Sequence, residues 1–341
     1  MDQTPHSTRE VEPQLLAARL ANRMRHLGRW GPKQGITCFR LYERDIPDFP
    51  LIVDWFADLD AQDPTSEGDA VVWAFPRTRD RGDPTAEREY LERVRLEVGQ
   101  GLNISEDRVH LRARGRQRDG SGQRQQYVRM EHKNQRKVVQ EYGVQFEINL
   151  SDYLDVGLFL DHRVLRREIS ERIAGRSLLN LFAYTGAFSV HARVGGAGRT
   201  TTVDLSKTYL EWYQRNCELN ALAEDDRHIC IQDDCLQFLE DGPQPGVLYD
   251  TIVLDPPTFS NSKRMRDTFS VGRDHAYLIE CASSFMASGG ELFFSTNDRG
   301  FALDEERLPR QLEWREISNR TVPEDFRNRK VHRAWRFREA G

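Results

Sequence analysis

The chain has 341 residues, 38% of them hydrophobic, with 49 Lys/Arg against 54 Asp/Glu for a formal net charge of −5. Its length points to about two domains. No apolar run approaches the ~20 residues that a membrane span needs. The N-terminus lacks a basic segment followed by an apolar one, so no secretory leader is expected. Five scattered cysteines without a C-x-x-C pair favour reduced thiols in the cytoplasm and argue against zinc; no metal is expected.

Charge is unevenly spread. From Arg108 to Lys137 there are ten Lys/Arg and two acidic residues, a local balance of +8 that leaves −13 for the remaining chain. From Arg327 to Arg338 there are six basic residues and no acidic one. Such clustering on an otherwise acidic chain is the footprint of a phosphate-binding face.

In chain order, Leu15, Leu16, Leu20, Met24 and Leu27 recur at helical spacing between Arg19, Arg23 and Arg25. The pattern predicts an amphipathic helix over 13–30, ended by Gly31-Pro32 and set apart as a segment 1–30. Short strands follow at 36–41, 51–56, 70–75, 108–114 and 126–130, with a hairpin of 138–142 and 144–150. Pro84-Thr85-Ala86-Glu87 opens a helix to about 98 that stops at Gly99. Together these describe a small α+β domain over 31–150, with a Gly/Gln/Arg-rich loop at 115–126. Arg112, Arg114, Arg116 and Arg118, with His110 in line, would share one strand face at period two. That face suits RNA, although charges on a solvated edge strand also prevent aggregation.

From 177 onward strand and helix alternate. Strands are expected at 177–182, 199–204, 228–232, 251–254 and 291–295, and helices at 186–194, 206–220, 235–239 and 275–286. Two more strands near 314–322 and 331–338 complete a seven-stranded sheet ending in an antiparallel pair. The fold class is α/β, a doubly wound parallel sheet over 151–341.

Ligands of such sheets lie outside the carboxyl ends of the strands. The first strand ends in Asn180-Leu181-Phe182-Ala183-Tyr184-Thr185-Gly186, where a glycine turn and a helix N-terminus suit an amino-acid carboxylate. Asp204 ends the second strand, 18 residues after Gly186, where ribose hydroxyls are held in related folds. Asp233-Asp234 ends the third, placed to accept from an adenine amino group. Helix capping competes at both positions. The fourth strand runs into Asp255-Pro256-Pro257-Thr258-Phe259. The prolines hold the backbone extended without amide donors, and Phe259 offers a flat face for a base. That turn suits methyl transfer to a planar nitrogen heterocycle. A C5-cytosine enzyme would need a nucleophilic thiolate, and the fifth strand end, Phe294-Ser295-Thr296-Asn297, has none.

Asn180–Gly186, Thr201–Trp212 and Asp255–Met265 closely resemble the K-type half of the bacterial K/L large-subunit rRNA methyltransferases. The resemblance extends to Trp30-Gly31, Tyr42-Glu43, Tyr153–Arg163 and Asp325–His332, and so covers nearly the whole chain. It implies a class I, S-adenosylmethionine-dependent methyltransferase domain preceded by a small RNA-contacting α+β domain. The implied activity is methylation of guanine N7 in 23S rRNA or a large-subunit precursor, and the resemblance raises a separate L-type methyltransferase as a partner. Carried over by position, Asn180, Phe182 and Gly186 line the methionine end of the cofactor. Asp204 with Leu205 holds the ribose, and Asp234 with Cys235 the adenine. Phe159, Asp161 and Arg163 close the pocket, and Asp255, Pro256, Pro257 and Phe259 meet the target base. Asn261 and Lys263 stand as donors to guanine O6 or as plain loop residues. Another base N-methylation, at adenine N6 or guanine N2, and a catalytically silent RNA-binding assembly factor are the competing readings.

Overall fold

The computed structural model describes residues 14–80, 83–113, 134–223, 225–260 and 269–340. They fall into two compact bodies, one of residues up to 139 plus 150–154, the other of 140–149 plus the chain from 155.

The first body opens with α1 (Leu15–Lys33), which buries Leu16, Leu20, Met24 and Leu27 as its spacing predicts. The helix runs past the expected stop at 30, because Pro32 sits in the last turn and Gly31 packs against the Ile36 carbonyl and the Phe39 ring. It is not a separate segment. The backbone N–H of Leu16 donates to the buried Glu97 carboxylate of α2 (Pro84–Leu102), satisfying one of the free amides at the helix start. Asp83 caps α2, which continues through Gly99 to a left-handed Asn103. Gly101 explains the extension: a Cβ there would lie 2.6 Å from the Ala17 carbonyl, so the glycine serves close helix packing.

The sheet of this body is β1 (Cys38–Glu43), β2 (Leu51–Ala57), β3 (Gly68–Ala74) and β4 (Val109–Ala113), in that order, with only β3 and β4 parallel. Arg112 does not take the outward position that its alternation predicts. It is 3% exposed, donates to the Leu154 carbonyl and lies over the Trp73 ring, so it does not face RNA. His110 bonds Asp69 at 2.8 Å. Arg114, Arg116, Arg118 and the strand expected at 126–130 lie outside the described residues, as do Asn261 and Lys263.

A hairpin of β5 (Arg136–Glu141) and β6 (Val144–Asn149) turns on Tyr142 and Gly143, both at positive φ, the geometry hairpin turns favour. The second body continues with α3 (Arg163–Ser170), β7 (Ser177–Leu181), α4 (Ala187–Val194), β8 (Arg199–Asp204), α5 (Lys207–Leu219), β9 (His228–Gln232), α6 (Cys235–Asp241) and β10 (Tyr249–Leu254). Two short strands, β11 (Phe259–Ser260) and β12 (Phe269–Ser270), precede α7 (Val271–Ser283), β13 (Met286–Thr296), β14 (Leu312–Glu316), α8 (Ser318–Thr321) and β15 (Arg333–Glu339). The helix expected at 275–286 therefore starts earlier and gives up Met286 to β13. The strand expected at 314–322 stops at Glu316, where α8 follows.

The seven-stranded sheet has the order β14-β15-β13-β10-β7-β8-β9, and β15 is antiparallel to both neighbours. Strand order reverses between β7 and β10. A core of Leu179, Leu181, Ile252, Leu254, Leu292 and Phe294 with α7 residues fills one face. Leu178, Val253 and Phe293 pack with Ile169 and Phe188 on the other. Alternate strand residues thus feed two cores, which is why these strands read as continuous apolar runs.

A buried ionic cluster fixes the segment leading into α3. Arg166 makes two bonds to Glu141, at 2.5 and 2.9 Å, and a third at 2.8 Å to the Phe159 carbonyl, while His191 bonds Glu141 at 2.9 Å. Burial works to raise the Glu141 pKa, but the Arg166 charge and the bonds from His191 and Arg166 hold it well below the carboxylate range. Burial also lowers the His191 pKa. A depressed pKa contributes stability above the unfolded value and loses it as pH falls. Stability should therefore decline below about pH 6.5 through His191 and further below about 4.3 through Glu141. Breaking a buried pair costs about 3–5 kcal/mol, so Glu141→Ala should lose that much in urea denaturation at pH 7. A loss under about 1 kcal/mol would contradict the role given to the cluster.

Candidate active site

Pairing register sets the site. Leu181 is level with Val203 and Leu254, and Leu254 is level with Phe294. One residue beyond those pairs, Phe182, Asp204, Asp255 and Ser295 emerge side by side at the carboxyl edge of the sheet. Asp204 pairs with Gln232, so Asp233 and Asp234 leave β9 just beyond the same row.

Asp204 accepts from the backbone N–H groups of Tyr184 and Ser206, both at 2.8 Å, one on each oxygen. It therefore ties the β7 turn to the start of α5, where Ser206 is the cap. Burial raises its pKa, with the two amide bonds opposing the shift. A carboxylate has about four acceptor directions, so hydroxyl donors can still be received. Asp234 is buried and caps α6 through one oxygen, at 3.0 Å from the Leu236 amide, whereas Asp233 is half-buried and accepts from the Asp234 amide.

The β7 turn needs unusual backbone. Phe182, Tyr184 and Gly186 have φ of 55, 53 and 71°. Glycine is required at 186 for a second reason: a Cβ would lie 2.2 Å from Cδ2 of Tyr213. The crowding comes from α5, not from close approach of a ligand. Cys235 secures the same turn, its Sγ accepting from the Phe182 amide at 3.1 Å and facing the Val203 carbonyl at 3.5 Å. Its thiol is buried and consumed internally, so at Cys235 only the backbone is left to meet a ligand. Asn180 is likewise inside, donating to Ser189 Oγ at 3.0 Å beneath the turn. Phe159 (39% exposed) tilts over Tyr184 at 5.1 Å, and Leu205 is exposed past Asp204. These apolar groups beside two strand-end carboxylate acceptors make a surface suited to the hydroxyl and amino donors of an adenosine. Arg163 departs from expectation. It is fully buried with Asp325 at 3.4 Å and braces α3 rather than lining the edge.

On the β10 side, Asp255 Oδ1 accepts from Ser295 Oγ at 2.6 Å. Asp255 Oδ2 lies 3.6 Å from His162 Nε2. His162 is buried, stacks on His332 at 4.6 Å, and lies 3.8 Å from Asp161, which His332 bonds at 3.2 Å. Burial lowers the His162 pKa, so its ring is neutral at pH 7. Asp161, His162 and His332 offer ligand atoms within 4.8 Å of one another. The two histidine rings lie 12° from parallel, and the second His332 nitrogen is bonded to Thr321. Asp161 is buried beside these two histidines. Pro256 is buried, Pro257 half-buried, and Phe259 61% exposed. Sequence patterns do not bring Ser295 and His162 to Asp255, whereas His332 is the hydrogen-bonded structural residue that its sequence context suggests. In sequence the fifth strand end is marked only by its lack of a cysteine, and His162 meets Asp255 across 93 residues of chain.

A doubly wound sheet with a carboxylate row at its reversal point and an Asp-Pro-Pro-Thr-Phe turn defines a class I methyltransferase. Residues 86–312 match the family model described as S-adenosylmethionine-dependent methyltransferase. The chain is 40% identical over 322 residues to ribosomal RNA large subunit methyltransferase K of Neisseria meningitidis, covering 94% of this chain and 86% of that one. It is 44% identical over 328 residues to the K/L protein of Ectopseudomonas mendocina, covering 95% of this chain but 42% of the relative. It thus spans less than half the length of that K/L relative. Among solved structures, a candidate methyltransferase complexed with SAH aligns at TM-score 0.72 and 21% identity over 96% of this chain and 82% of that one, a likeness of fold. The chain belongs to the S-adenosylmethionine-dependent methyltransferase family, within the K-type group of ribosomal RNA large subunit methyltransferases.

Gly186→Ala should distort the turn that Asp204 and Cys235 hold. Overpacking costs about 1–3 kcal/mol, so calorimetry should show S-adenosylhomocysteine binding weakened about tenfold or more. Wild-type affinity in that variant would show that the turn geometry is not needed.

Proposed function

We propose that this chain transfers a methyl group from S-adenosylmethionine to N7 of a guanine in 23S rRNA, as free RNA or within a large-subunit precursor. The observation that carries the reading is the Asp255–Phe259 turn standing beside Asp204 in one strand-end row, in a chain 40% identical to a K-type relative. Asp204 and the second oxygen of Asp234 would hold the ribose and adenine ends of the cofactor, with Leu205 and Phe159 against its apolar surface and the Phe182–Gly186 turn at its methionine end. Bound S-adenosylmethionine supplies an electrophilic methyl group.

Guanine N7 carries an in-plane lone pair and no proton, so no general base is required. The work of the chain is alignment, which can contribute about 7–11 kcal/mol at most. Phe259, exposed at the turn, offers a stacking face worth about 1–3 kcal/mol. Asp255 is fixed by Ser295 and balances the positive charge that N7 methylation places on the base. Neutral His162 beneath it leaves that negative charge uncancelled.

The test is transfer of labelled methyl to 23S rRNA followed by nucleoside analysis, with N7-methylguanosine expected. N6-methyladenosine or N2-methylguanosine would replace the acceptor assignment, and no S-adenosylmethionine binding would favour a silent RNA-binding factor. Asp255→Asn keeps a partner for Ser295 and loses the charge, so kcat should fall about tenfold, the scale of one lost charged hydrogen bond. Asp255→Ala loses both and should fall further, about a hundredfold. Equal and complete loss in the two variants would count against charge balancing.

A further inference from the structure

We propose that the outer face of α1 is a docking strip for a single strand of RNA, an inference that rests on the rRNA reading above. The helix carries five Lys/Arg and no acidic residue in a chain of net charge −5. Asn22, Arg25, His26, Arg29, Trp30 and Lys33 lie together along one face of the helix. At 100° per residue these positions fall on one side of the helix, opposite the buried Leu16, Leu20, Met24 and Leu27. Arg25, Arg29 and Lys33 are exposed, and among the described residues no carboxylate pairs with them. Arg19, by contrast, is engaged by Asp45 at 2.6 Å.

Favourable interaction with the helix dipole accounts for cations only within the last turn. It explains Lys33, but neither Arg25 nor a half-exposed tryptophan among the cations. Arg25, Arg29 and Lys33 recur every fourth residue, a row about 6 Å apart along the axis. A cationic row with an aromatic face beside it is what a flexible polyanion with stackable bases requires. A membrane surface would need an apolar face outward, and the apolar face of α1 is buried. The charge-rich contact expected at Arg112 is thus supplied in this body by a different element.

The test uses the full chain and a short fluorescent single-stranded RNA, with affinity measured over a range of salt. Three lost phosphate contacts reduce the slope of log K against log salt by about 2, at about 0.7 each. Arg25→Gln/Arg29→Gln/Lys33→Gln should show that change and bind at least about tenfold more weakly at low salt. S-adenosylhomocysteine affinity and circular dichroism should be unchanged. Trp30→Ala should weaken binding about fivefold or more, and Trp30→Phe should restore most of it. Should the triple variant lose its helical signal, the single variants Arg25→Gln and Lys33→Gln serve, each lowering the slope by about 0.7. Unchanged affinity and slope would overturn the proposal and leave the face to an acidic protein. Salt-dependent RNA binding through α1 without any methyl transfer to 23S rRNA would instead defeat the functional reading and leave this one standing.

Discussion

Everything at the site depends on the parallel pairing of β7 with β10. These strands are separated in the chain by β8, β9 and three helices, yet Leu181 and Leu254 lie level in the sheet. The reversal of strand order opens a crevice above them, and the register fixes which side chains enter it. A slip of one residue would exchange inward and outward positions along a strand buried on both faces. Asp255 would then lose its level with Phe182 at the edge of the sheet. Chemistry and core packing are set by the same alignment.

Much of this was legible from sequence because strand ends are local signals. Apolar runs closed by Asp204 or by Asp255-Pro256-Pro257 announce both a strand and its exposed end. What was not legible is which polar groups the fold consumes. Asn180, Cys235 and Arg163 carry chemistry-bearing side chains at the expected places, but Ser189, the Phe182 amide and Asp325 take them up. Those partners come from other elements, and period and spacing do not show them. The same holds for Arg112, whose alternation suggested an outward face until the Leu154 carbonyl and Trp73 claimed it. Helix ends failed for a related reason. Gly99 and Gly31 read as stops, whereas in α1 and α2 the nearby glycines admit a packed neighbour.

Charged groups divide into two kinds by burial. Glu141, Arg166 and His191 are enclosed and linked through the Glu141 carboxylate, so they specify how the Phe159 segment enters the site. Asp204 and Asp255 keep acceptor capacity at the edge of the sheet, Asp204 held through both oxygens and Asp255 through one. A carboxylate anchored in this way is already oriented before a ligand arrives, which reduces the ordering cost of binding.

Cys235 has one further meaning. A thiol reacts as its thiolate, and burial raises the pKa of this one well above the ordinary cysteine value. Its sulfur can reach a reagent only when the Phe182 amide and the Val203 carbonyl let go, that is, when the β7 turn opens. The rate at which a bulky alkylating agent consumes Cys235 is therefore a clock for that local opening. Any molecule that holds the turn closed slows the clock in proportion to its occupancy, so the chain contains its own reporter of a filled crevice.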